Sequence, residues 1–453
     1  MNLIDALSNV NSFVWGPPLL ILLVGTGIYY TVRLGLLQVL KLPRAVKLIF
    51  KADNSGSGDI SSFGALCTAL AATVGTGNIV GVATAIKAGG PGALFWMWIA
   101  AFFGMATKYA EGVLAIKYRT KDKNGQISGG PMYYIVNGMG EKFRPLAIFF
   151  AISGILVALL GIGTFAQVNS ITDSINGSFG IDPRITGVIL SLLVAFVIFG
   201  GLQSISNVAS KVVPAMSITY ILICLAVVVS FFDQIPATFM LIMESAFTPS
   251  AAAGGFLGAT VSMAIRNGVA RGVFSNESGL GSAPIAAAAA KTEWPAEQGL
   301  ISMTGTFIDS LVICTLTGFT LVLSGVWQSE FNGALMTQAA FGSVLPTIGP
   351  LFLTISLSLF AFTTILGWSY YGERCYEFLF GVKGINLYRV VFVFMVLIGA
   401  FLKLEVVWII ADIVNGLMAL PNLVALLALS PIVIMETKKY FEHLKEKEQQ
   451  QAS

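Results

Sequence analysis

The stretch Ala71-Ala72-Thr73-Val74-Gly75-Thr76-Gly77-Asn78 lies inside an apolar segment that spans residues 63–86. A helix that crosses the hydrocarbon core of a bilayer needs about 20 apolar residues, and its backbone groups must be hydrogen-bonded within the protein. Two glycines around a threonine, followed by an asparagine, indicate an interruption of this helix. An interruption that lines a polar cavity offers N–H groups to an anion and carbonyl groups to a cation. Small residues at this spacing also fit a close helix–helix contact, and the spacing alone does not decide between the two interpretations.

The composition is that of an integral membrane protein. Of the 453 residues, 56% are hydrophobic and 11% are charged, and the mean hydropathy of +0.82 lies outside the range of soluble domains. The apolar runs have the length of helices and lack the short alternation of barrel strands, so we expect an all-α polytopic protein. A net charge of +3 gives no reason to expect nucleic-acid binding.

Cysteine and histidine usage argues against several kinds of site. The cysteines form no Cys-x-x-Cys pair, and the single histidine, His443, lies in a charged tail. Neither a disulfide framework nor an imidazole metal site is expected. Because no histidine lies in an apolar run and no serine–lysine or paired-aspartate arrangement stands out, the chain is not expected to be an enzyme. The amino terminus lacks a basic region and a small-residue cleavage site, so its first apolar run is expected to be a retained span.

The apolar runs predict about 11 transmembrane helices. They cover residues 13–34, 63–86, 93–116, 146–171, 186–202, 212–232, 254–273, 300–323, 351–379, 390–402 and 406–433. One leading helix followed by ten suggests two sets of five, and an odd number in each set inverts the second relative to the first. The predicted divisions are a leading helix with a cytoplasmic basic loop (1–59), a first repeat (60–235), a second repeat (236–435) and a cytoplasmic charged tail (436–453).

Lysine and arginine predict the orientation in the membrane. With the amino terminus outside, the inner loops and the carboxyl-terminal tail hold most of the basic residues, and the outer loops keep Lys87, Arg184 and Lys403. We therefore expect a multi-pass protein of the cell membrane, embedded in the lipid bilayer, with a cytoplasmic carboxyl terminus.

A second interruption is expected at the corresponding place in the second repeat. The run 254–273 matches the run 63–86 in position, and it carries Ser262-Met263-Ala264-Ile265-Arg266-Asn267-Gly268. A charged and an amide side chain before a glycine predict a break at about mid-depth. Paired interruptions in corresponding spans of two halves indicate the binding site of a secondary transporter.

Two longer motifs resemble those of a known family. The sequence GGPGALFWMWIAAFFG (residues 89–104) resembles the signature of the alanine or glycine:cation symporters, also called sodium:alanine symporters. The sequence ARGVFSNESGLGSAP (residues 270–284) is similar to a second hallmark of that family. The resemblance implies the leucine-transporter-type inverted-repeat fold and sodium-driven uptake of a small neutral amino acid. The implied substrates are L-alanine and glycine, with D-alanine as a further candidate, and the implied co-transported ion is sodium.

The resemblance also implies a substrate site. The Gly75-Thr76-Gly77-Asn78 sequence resembles the Gly-x-Gly-Asn break in the first core helix of the broader fold superfamily. This match places the substrate carboxylate on the amides of Thr76 and Gly77. Dipoles at broken helix ends replace the hydration of a zwitterion without adding formal charge. Glycine should compete with alanine, because one missing methylene costs only about 1–3 kcal/mol. The ammonium group is expected near the carbonyls of Ala72, Thr73 and Ile265, and the other predicted substrate residues are Gly75, Asn78, Gln167, Gly268 and Trp368.

A sodium site is implied in the same way. Sodium needs hard oxygen ligands in a dehydrated cage. The adjacent hydroxyls of Thr363 and Thr364 resemble the pair that fold relatives use for sodium, although threonine in a membrane helix commonly bonds its own i−4 carbonyl. The remaining predicted ligands are the carbonyls of Ala71, Val74 and Phe360, with Asn78 at a second cation position.

Other polar residues in the predicted spans have competing interpretations. Gln167 either bonds the substrate or forms an interhelical hydrogen bond. Asp309 binds a cation, carries a proton, or, as we favour, neutralises one of the basic residues Arg266, Arg271 and Lys108.

Charged and aromatic residues near the predicted span ends are candidates for gates or anchors. Arg271 and Glu277 are interpreted as an inner-gate charge network or as helix-end anchors. Trp96 and Trp98 are expected to anchor their helix at the interface. Trp368 either caps the substrate pocket or packs in the core.

The combined interpretation is a secondary active transporter, a sodium-coupled symporter of alanine and/or glycine. Rocking of one helix group against the other would expose a midplane site to each side in turn. The alternatives are a proton-coupled amino-acid symporter that uses Asp309 and, from a different class, a channel.

Overall fold

The computed structural model describes residues 3–51, 56–250, 258–402 and 404–452. Within these ranges the chain is helical apart from one antiparallel hairpin of two short strands, β1 (Thr120–Lys121) and β2 (Ile127–Ser128), in which Thr120 pairs with Ser128.

The helices fall into two stretches of the chain. Those of the first stretch are α1 (Leu3–Val14), α2 (Pro17–Arg33), α3 (Leu37–Leu40), α4 (Leu42–Phe50), α5 (Ser62–Thr73), α6 (Val82–Gly89), α7 (Gly92–Lys117), α8 (Pro131–Tyr134), α9 (Arg144–Leu160), α10 (Phe165–Phe179), α11 (Pro183–Ile198), α12 (Gly201–Ser230) and α13 (Ile235–Phe247). Those of the second stretch are α14 (Val261–Asn276), α15 (Ala283–Ala287), α16 (Pro295–Thr306), α17 (Thr315–Leu323), α18 (Gly333–Val344), α19 (Ile348–Phe380), α20 (Ile385–Gly399), α21 (Leu404–Ala428) and α22 (Ser430–Ala452). Wider π-helical turns occur at Gly77–Gly81, Ile135–Met139 and Phe307–Cys314, and tighter 3-10 turns at Glu141–Phe143, Phe232–Gln234, Val326–Gln328 and Val382–Gly384.

The predicted all-α membrane fold is confirmed. Among the described residues, eight helical segments are long and apolar enough to cross a membrane, and the pair Ser62–Thr73 and Gly77–Gly89, bent by 52°, makes a ninth. The predicted runs 186–202 and 254–273 correspond to α11 and α14, each of 16 residues, which is short of a full span. These two helices account for the difference from the 11 predicted. Residues 254–257 lie outside the described residues, and the division into repeats stays a prediction.

One predicted span is in fact two helices. The run 146–171 includes nearly all of α9 and the start of α10, and residues 161–164 between them are not helical. A Cβ atom on Gly163 would lie 2.7 Å from the Cα of Ala158 and 2.8 Å from the Cβ of Trp368. The glycine is therefore needed for close packing at this interruption.

The predicted interruption at Ser262–Gly268 is wrong, because α14 is continuous from Val261 to Asn276. Arg266 is exposed, so its charge does not need a break. Gly268 is a packing residue instead, since a Cβ there would lie 2.4 Å from the carbonyl oxygen of Ala93 in α7. The second broken helix is interrupted later, at residues 277–282, between α14 and α15.

The helix α7 is the centre of the fold. Most of its 26 residues are buried, and it contacts α14, α15 and α16. Its glycines allow this close packing: a Cβ on Gly104 would lie 2.9 Å from the Cβ of Ser278, and one on Gly112 would lie 2.9 Å from the Cα of Gly299. The second broken helix is therefore held directly against α7.

Backbone contacts close one face of the protein, which we call the Arg119 face. The segment before α5 pairs with the segment after α15, where the Lys291 N–H donates to the Ile60 carbonyl at 2.8 Å. The Arg119 guanidinium lies just before β1 and donates to carbonyls of the same two segments at 2.7 to 2.9 Å. Those acceptors belong to Ser57, Ala288, Ala290 and Thr292. The ends of both broken helices are thus joined on this face.

A buried ion-pair cluster supports the hairpin on the Arg119 face. Arg374 of α19 is 1% exposed and pairs with Glu373 at 2.8 Å, with Glu377 at 2.5 Å and with Asp122 at 3.6 Å. Arg389 of α20 also pairs with Glu373, at 2.6 Å. Asp122 lies between the two strands, so the cluster connects the hairpin to α19 and α20.

Replacement of Arg374 with alanine should destabilise the protein by about 3–5 kcal/mol, because the remaining carboxylates would be buried without compensation. The measurement is the thermal unfolding midpoint in detergent. Arg144→Ala is the matched control, since Arg144 forms an exposed pair with Glu141 at 3.2 Å and should contribute about 0–1 kcal/mol. Equal midpoints for the two variants would contradict a structural role for the cluster.

Candidate functional site

The first helix break exposes backbone N–H groups inside the protein. Helix α5 ends at Thr73, and the chain becomes helical again at Gly77. The Gly75 N–H donates to Oδ1 of Asn78 at 2.9 Å, and the Thr76 N–H forms a long hydrogen bond of 3.4 Å to Oε1 of Gln167. Residues 71–79 are all buried. Side-chain amide oxygens therefore occupy the places at this break that an anionic oxygen could take.

The side chain of Gln167 has an unused hydrogen-bond donor. It is fully buried, and its Nε2 has no hydrogen-bond partner among the described residues. The hydroxyl of Thr76 is likewise buried and unpartnered. Buried polar atoms without partners are rare in folded proteins, so two of them beside the break indicate a place built to hold a polar molecule.

The first break packs directly on α19. A Cβ on Gly75 would lie 2.3 Å from Oγ1 of Thr364, and a Cβ on Gly367 would lie 2.8 Å from the backbone nitrogen of Ala72. The Thr364 hydroxyl donates to the Phe360 carbonyl at 3.0 Å, which leaves its oxygen lone pairs free. The predicted intrahelical bond and the predicted role as a ligand are therefore compatible.

Thr363 faces a different neighbour. Its hydroxyl also donates to the Phe360 carbonyl at 3.0 Å, but it lies 3.7 Å from the sulfur of Met216 in α12. The predicted cation ligands Ala71, Val74 and Phe360 are buried around the same contact between α5 and α19.

At the second break, backbone groups are already hydrogen-bonded to side chains of neighbouring helices. The N–H groups of Gly279 and Gly281 donate to Oε1 of Glu111 in α7 at 3.1 and 3.2 Å. The Asn422 amide of α21 donates to the same oxygen at 2.7 Å and to the Gly279 carbonyl at 2.9 Å. Both glycines have positive φ angles, 88° and 84°, a conformation that favours glycine. This break is therefore held by fixed side chains of the protein.

Glu277 and Trp368 connect the second break to α19. The Trp368 indole donates to Oε1 of Glu277 at 3.0 Å, and the Ser282 hydroxyl donates to the other carboxylate oxygen. Trp368 is fully buried. The predicted network of Arg271 with Glu277 is wrong, because Arg271 donates two hydrogen bonds, of 2.9 and 2.8 Å, to Asp412 of α21.

Asp309 joins the two broken helices. The Asn78 amide donates to its Oδ1 at 2.7 Å, and the hydroxyls of Ser275 and Ser310 donate to its Oδ2 at 2.9 and 2.8 Å. The helices also touch here, since a Cβ on Gly77 would lie 3.0 Å from the Cα of Ser275. Asp309 is fully buried, and each of these donors is neutral.

The favoured pairing of Asp309 with a basic residue is not observed as a direct contact. Arg271 pairs with Asp412 and Arg266 is exposed. Lys108 is buried, but its Nζ has no hydrogen-bond or ion-pair partner among the described residues. A buried carboxylate with neutral donors alone is suited to a small cation or a proton.

The predicted substrate residue Ile265 lies away from the first break. Ile265 precedes the end of α14 by about 16 Å of helix. Its neighbour Ala264 packs on Gly89, at the far end of the half-helix that begins after the break, where a Cβ on Gly89 would lie 3.0 Å from the Ala264 Cα. The Trp96 and Trp98 indoles donate to the Ala246 carbonyl and the Thr315 hydroxyl at 3.0 and 2.9 Å, and their role as interfacial anchors stays a prediction.

Sequence reasoning missed several residues of this region. Ser275 and Ser310 contact Asp309, and Glu111 and Asn422 hold the second break. A signal was present in Glu277-Ser278-Gly279-Leu280-Gly281, where two glycines follow a charged residue within an apolar chain.

Comparisons with known proteins identify the family. The model of the "Sodium:alanine symporter family" matches residues 1–453. The chain is 56% identical over 447 residues to an uncharacterized transporter of Haemophilus influenzae, and 52% identical over 450 residues to the sodium/alanine symporter AgcS of Methanococcus maripaludis. Each match covers 98% of both chains.

Solved structures with little sequence similarity share the fold. The crystal structure of MhsT in complex with L-phenylalanine matches with a TM-score of 0.58 at 12% identity, over 84% of this chain and 98% of that one. A manganese transporter of Eremococcus coleocola matches with a TM-score of 0.52 at 13% identity, over 85% and 82% of the two chains. The protein thus has the leucine-transporter-type fold and is a transporter rather than an enzyme, and the chain belongs to the sodium:alanine symporter family.

Proposed function

We propose that the protein is a sodium-coupled symporter of a small neutral amino acid, alanine and/or glycine, that works by alternating access. The observation that carries the proposal is the first break, where the buried N–H groups of Gly75 and Thr76 meet only side-chain amide oxygens, next to the hydroxyl of Thr364. The relative named a sodium/alanine symporter, at 52% identity, supports the choice of substrate and ion.

The substrate carboxylate binds at the amides of Thr76 and Gly77. The oxygen of Gln167 makes only a long contact with Thr76, so a carboxylate can replace it and accept a further hydrogen bond from the unpartnered Nε2. The second break is not an alternative place, because Glu111 already holds the N–H groups of Gly279 and Gly281. The ammonium group then lies near the carbonyls of Ala72 and Thr73.

The tight surroundings of the first break favour a small substrate. A Cβ on Gly75 or on Gly77 would lie within 2.3 Å or 3.0 Å of a neighbouring atom, so the wall leaves little space for a long side chain. Excluding a larger molecule is easier than rejecting a smaller one. Glycine, L-alanine and D-alanine are therefore all candidates.

Sodium binds between the first break and α19. The oxygen of Thr364, with the carbonyls of Ala71, Val74 and Phe360 and the hydroxyl of Thr363, forms the proposed cage of hard ligands. A cation there holds the break in its binding shape, so that cation and substrate raise each other's affinity. Asp309, with Asn78 and Ser275, is the proposed place for a second cation or for a coupled proton.

The Arg119 face is proposed to be cytoplasmic, with the amino terminus outside and the carboxyl terminus inside the cell membrane. The basic residues Lys117, Arg119, Lys121 and Lys123 flank the hairpin there, as the positive-inside rule requires. Rocking of the broken helices would then open this face for release.

A flux assay tests the proposal. Purified protein in lipid vesicles should accumulate alanine and glycine under an inward sodium gradient, saturably, and should accumulate leucine far less. Uptake that follows a pH gradient in the absence of a sodium gradient would favour the proton-coupled alternative. Flux that neither saturates nor depends on any cation gradient would favour a channel and overturn the proposal.

Replacement of Thr364 with alanine should weaken alanine binding by about tenfold at low sodium, equivalent to about 1.4 kcal/mol, and much less at saturating sodium, because the lost oxygen is a sodium ligand. Binding is measured across a sodium titration. Thr68→Ala is the control: Thr68 is buried in α5 and donates to the Gly64 carbonyl at 2.8 Å, and its loss should not change sodium dependence. An equal loss at all sodium concentrations would contradict the assignment of Thr364.

Replacement of Asp309 with asparagine should raise the sodium concentration for half-maximal uptake by about tenfold or more, because a negative charge is lost while the size is kept. Uptake is measured with sodium and pH gradients varied independently, and exposed Asp233→Asn serves as the control. A variant that keeps its sodium dependence but loses its response to pH would assign Asp309 to proton transfer instead.

A further inference from the structure

Three charged side chains are buried at the second break. Lys108 and Glu111 of α7 are 3% and 1% exposed, and Glu277 at the end of α14 is fully buried. Ionisable residues inside a membrane are costly and mark functional places. None of the three has a part in the substrate and sodium sites proposed above, so their presence needs a separate explanation.

The hydrogen-bond donors to the two carboxylates are all neutral. Glu111 accepts from two backbone N–H groups and the Asn422 amide, and Glu277 accepts from the Trp368 indole and the Ser282 hydroxyl. These bonds orient the carboxylates but do not cancel their charge.

Lys108 supplies the positive charge that is otherwise missing. It lies one turn before Glu111 on the same face of α7. Its Nζ has no hydrogen-bond partner among the described residues. It lines a small cavity with Thr73, Ala283, Ala287 and Gln298, and Oε1 of Gln298 is also unpartnered. The ammonium group therefore acts across space, where a low dielectric makes its field strong.

We propose that Lys108 is a built-in counter-ion of the second break, whose positive charge offsets the acidic pair Glu111 and Glu277 that holds residues 277–282 in place. Lys108 is thus a positioning residue for transport. The inference builds on the proposed function and assigns the two breaks different sources of positive charge: sodium at the first and the protein's own lysine at the second.

This division predicts which kinetic constant depends on Lys108. The donors of the second break are bound to Glu111, so the loss of Lys108 does not remove a contact with the substrate. The second break lies between the two halves of a helix that must move as the protein alternates between its open states. Loss of the counter-ion should therefore lower the turnover rate and leave the KM for alanine nearly unchanged.

A charge-matched set of variants, assayed for alanine uptake into vesicles under an inward sodium gradient, tests the inference. Lys108→Met should lower kcat by about tenfold or more with less than about a threefold change in KM. Lys108→Arg should keep most of the activity. The double variant Glu277→Gln with Lys108→Met should have a kcat at least about fivefold higher than that of Lys108→Met alone, because the charge imbalance is reduced. Lys87→Met is the control, since the Lys87 ammonium binds the Ser329 carbonyl away from both breaks.

The thermal unfolding midpoint gives a readout that does not require transport. It should fall for Lys108→Met and recover in the double variant. A double variant that is no better than Lys108→Met in both readouts, or a rise in KM with unchanged kcat, would overturn the inference. If the unmodified protein takes up no amino acid with sodium, the proposed function fails, and the midpoints still decide whether Lys108 compensates Glu277.

Discussion

The need to satisfy backbone hydrogen bonds away from water governs this structure. Two helices are broken inside the protein, and the backbone N–H groups at the two breaks have different hydrogen-bond acceptors. At the first, the N–H groups of Gly75 and Thr76 meet neutral amide oxygens of Asn78 and Gln167, one of them at a long distance. At the second, the carboxylate of Glu111 receives two N–H groups at once. Ionised acceptors bind more strongly than neutral ones, so the first break is the one that can exchange its partners for a ligand.

The two breaks are also joined to each other. Asp309 accepts from Asn78 beside the first break and from Ser275 beside the second, and Gly77 packs against the Ser275 backbone. One carboxylate and one close contact therefore connect the two breaks directly. Trp368 extends this connection to α19, which carries Thr364, because its indole binds Glu277. The residues proposed for the substrate site and the cation site, together with the second break, thus form one contiguous set of contacts.

The fold class, the apolar runs and the first break could be predicted from the sequence, because bilayer thickness fixes helix length and glycines weaken a helix. The sequence-based position of the second break, at Gly268, is wrong. The sequence alone does not distinguish a glycine that permits close packing, here on Ala93, from a glycine that interrupts a helix. The partners of Arg271 and Asp309 could not be predicted either. Arg271 and Asp412 are 141 positions apart, and only the folded chain decides which charges meet. The sequence likewise leaves open whether Gln167 bonds the substrate or another helix.

The closure at the Arg119 face has a consequence for how that face responds to its surroundings. Arg119 binds main-chain carbonyls of four residues, and carbonyls do not titrate. Acidification therefore cannot weaken these four bonds by protonating their acceptors, as it could weaken a bond to a carboxylate. Because a single guanidinium makes all four bonds, the position of this one side chain couples the segment before α5 to the segment after α15.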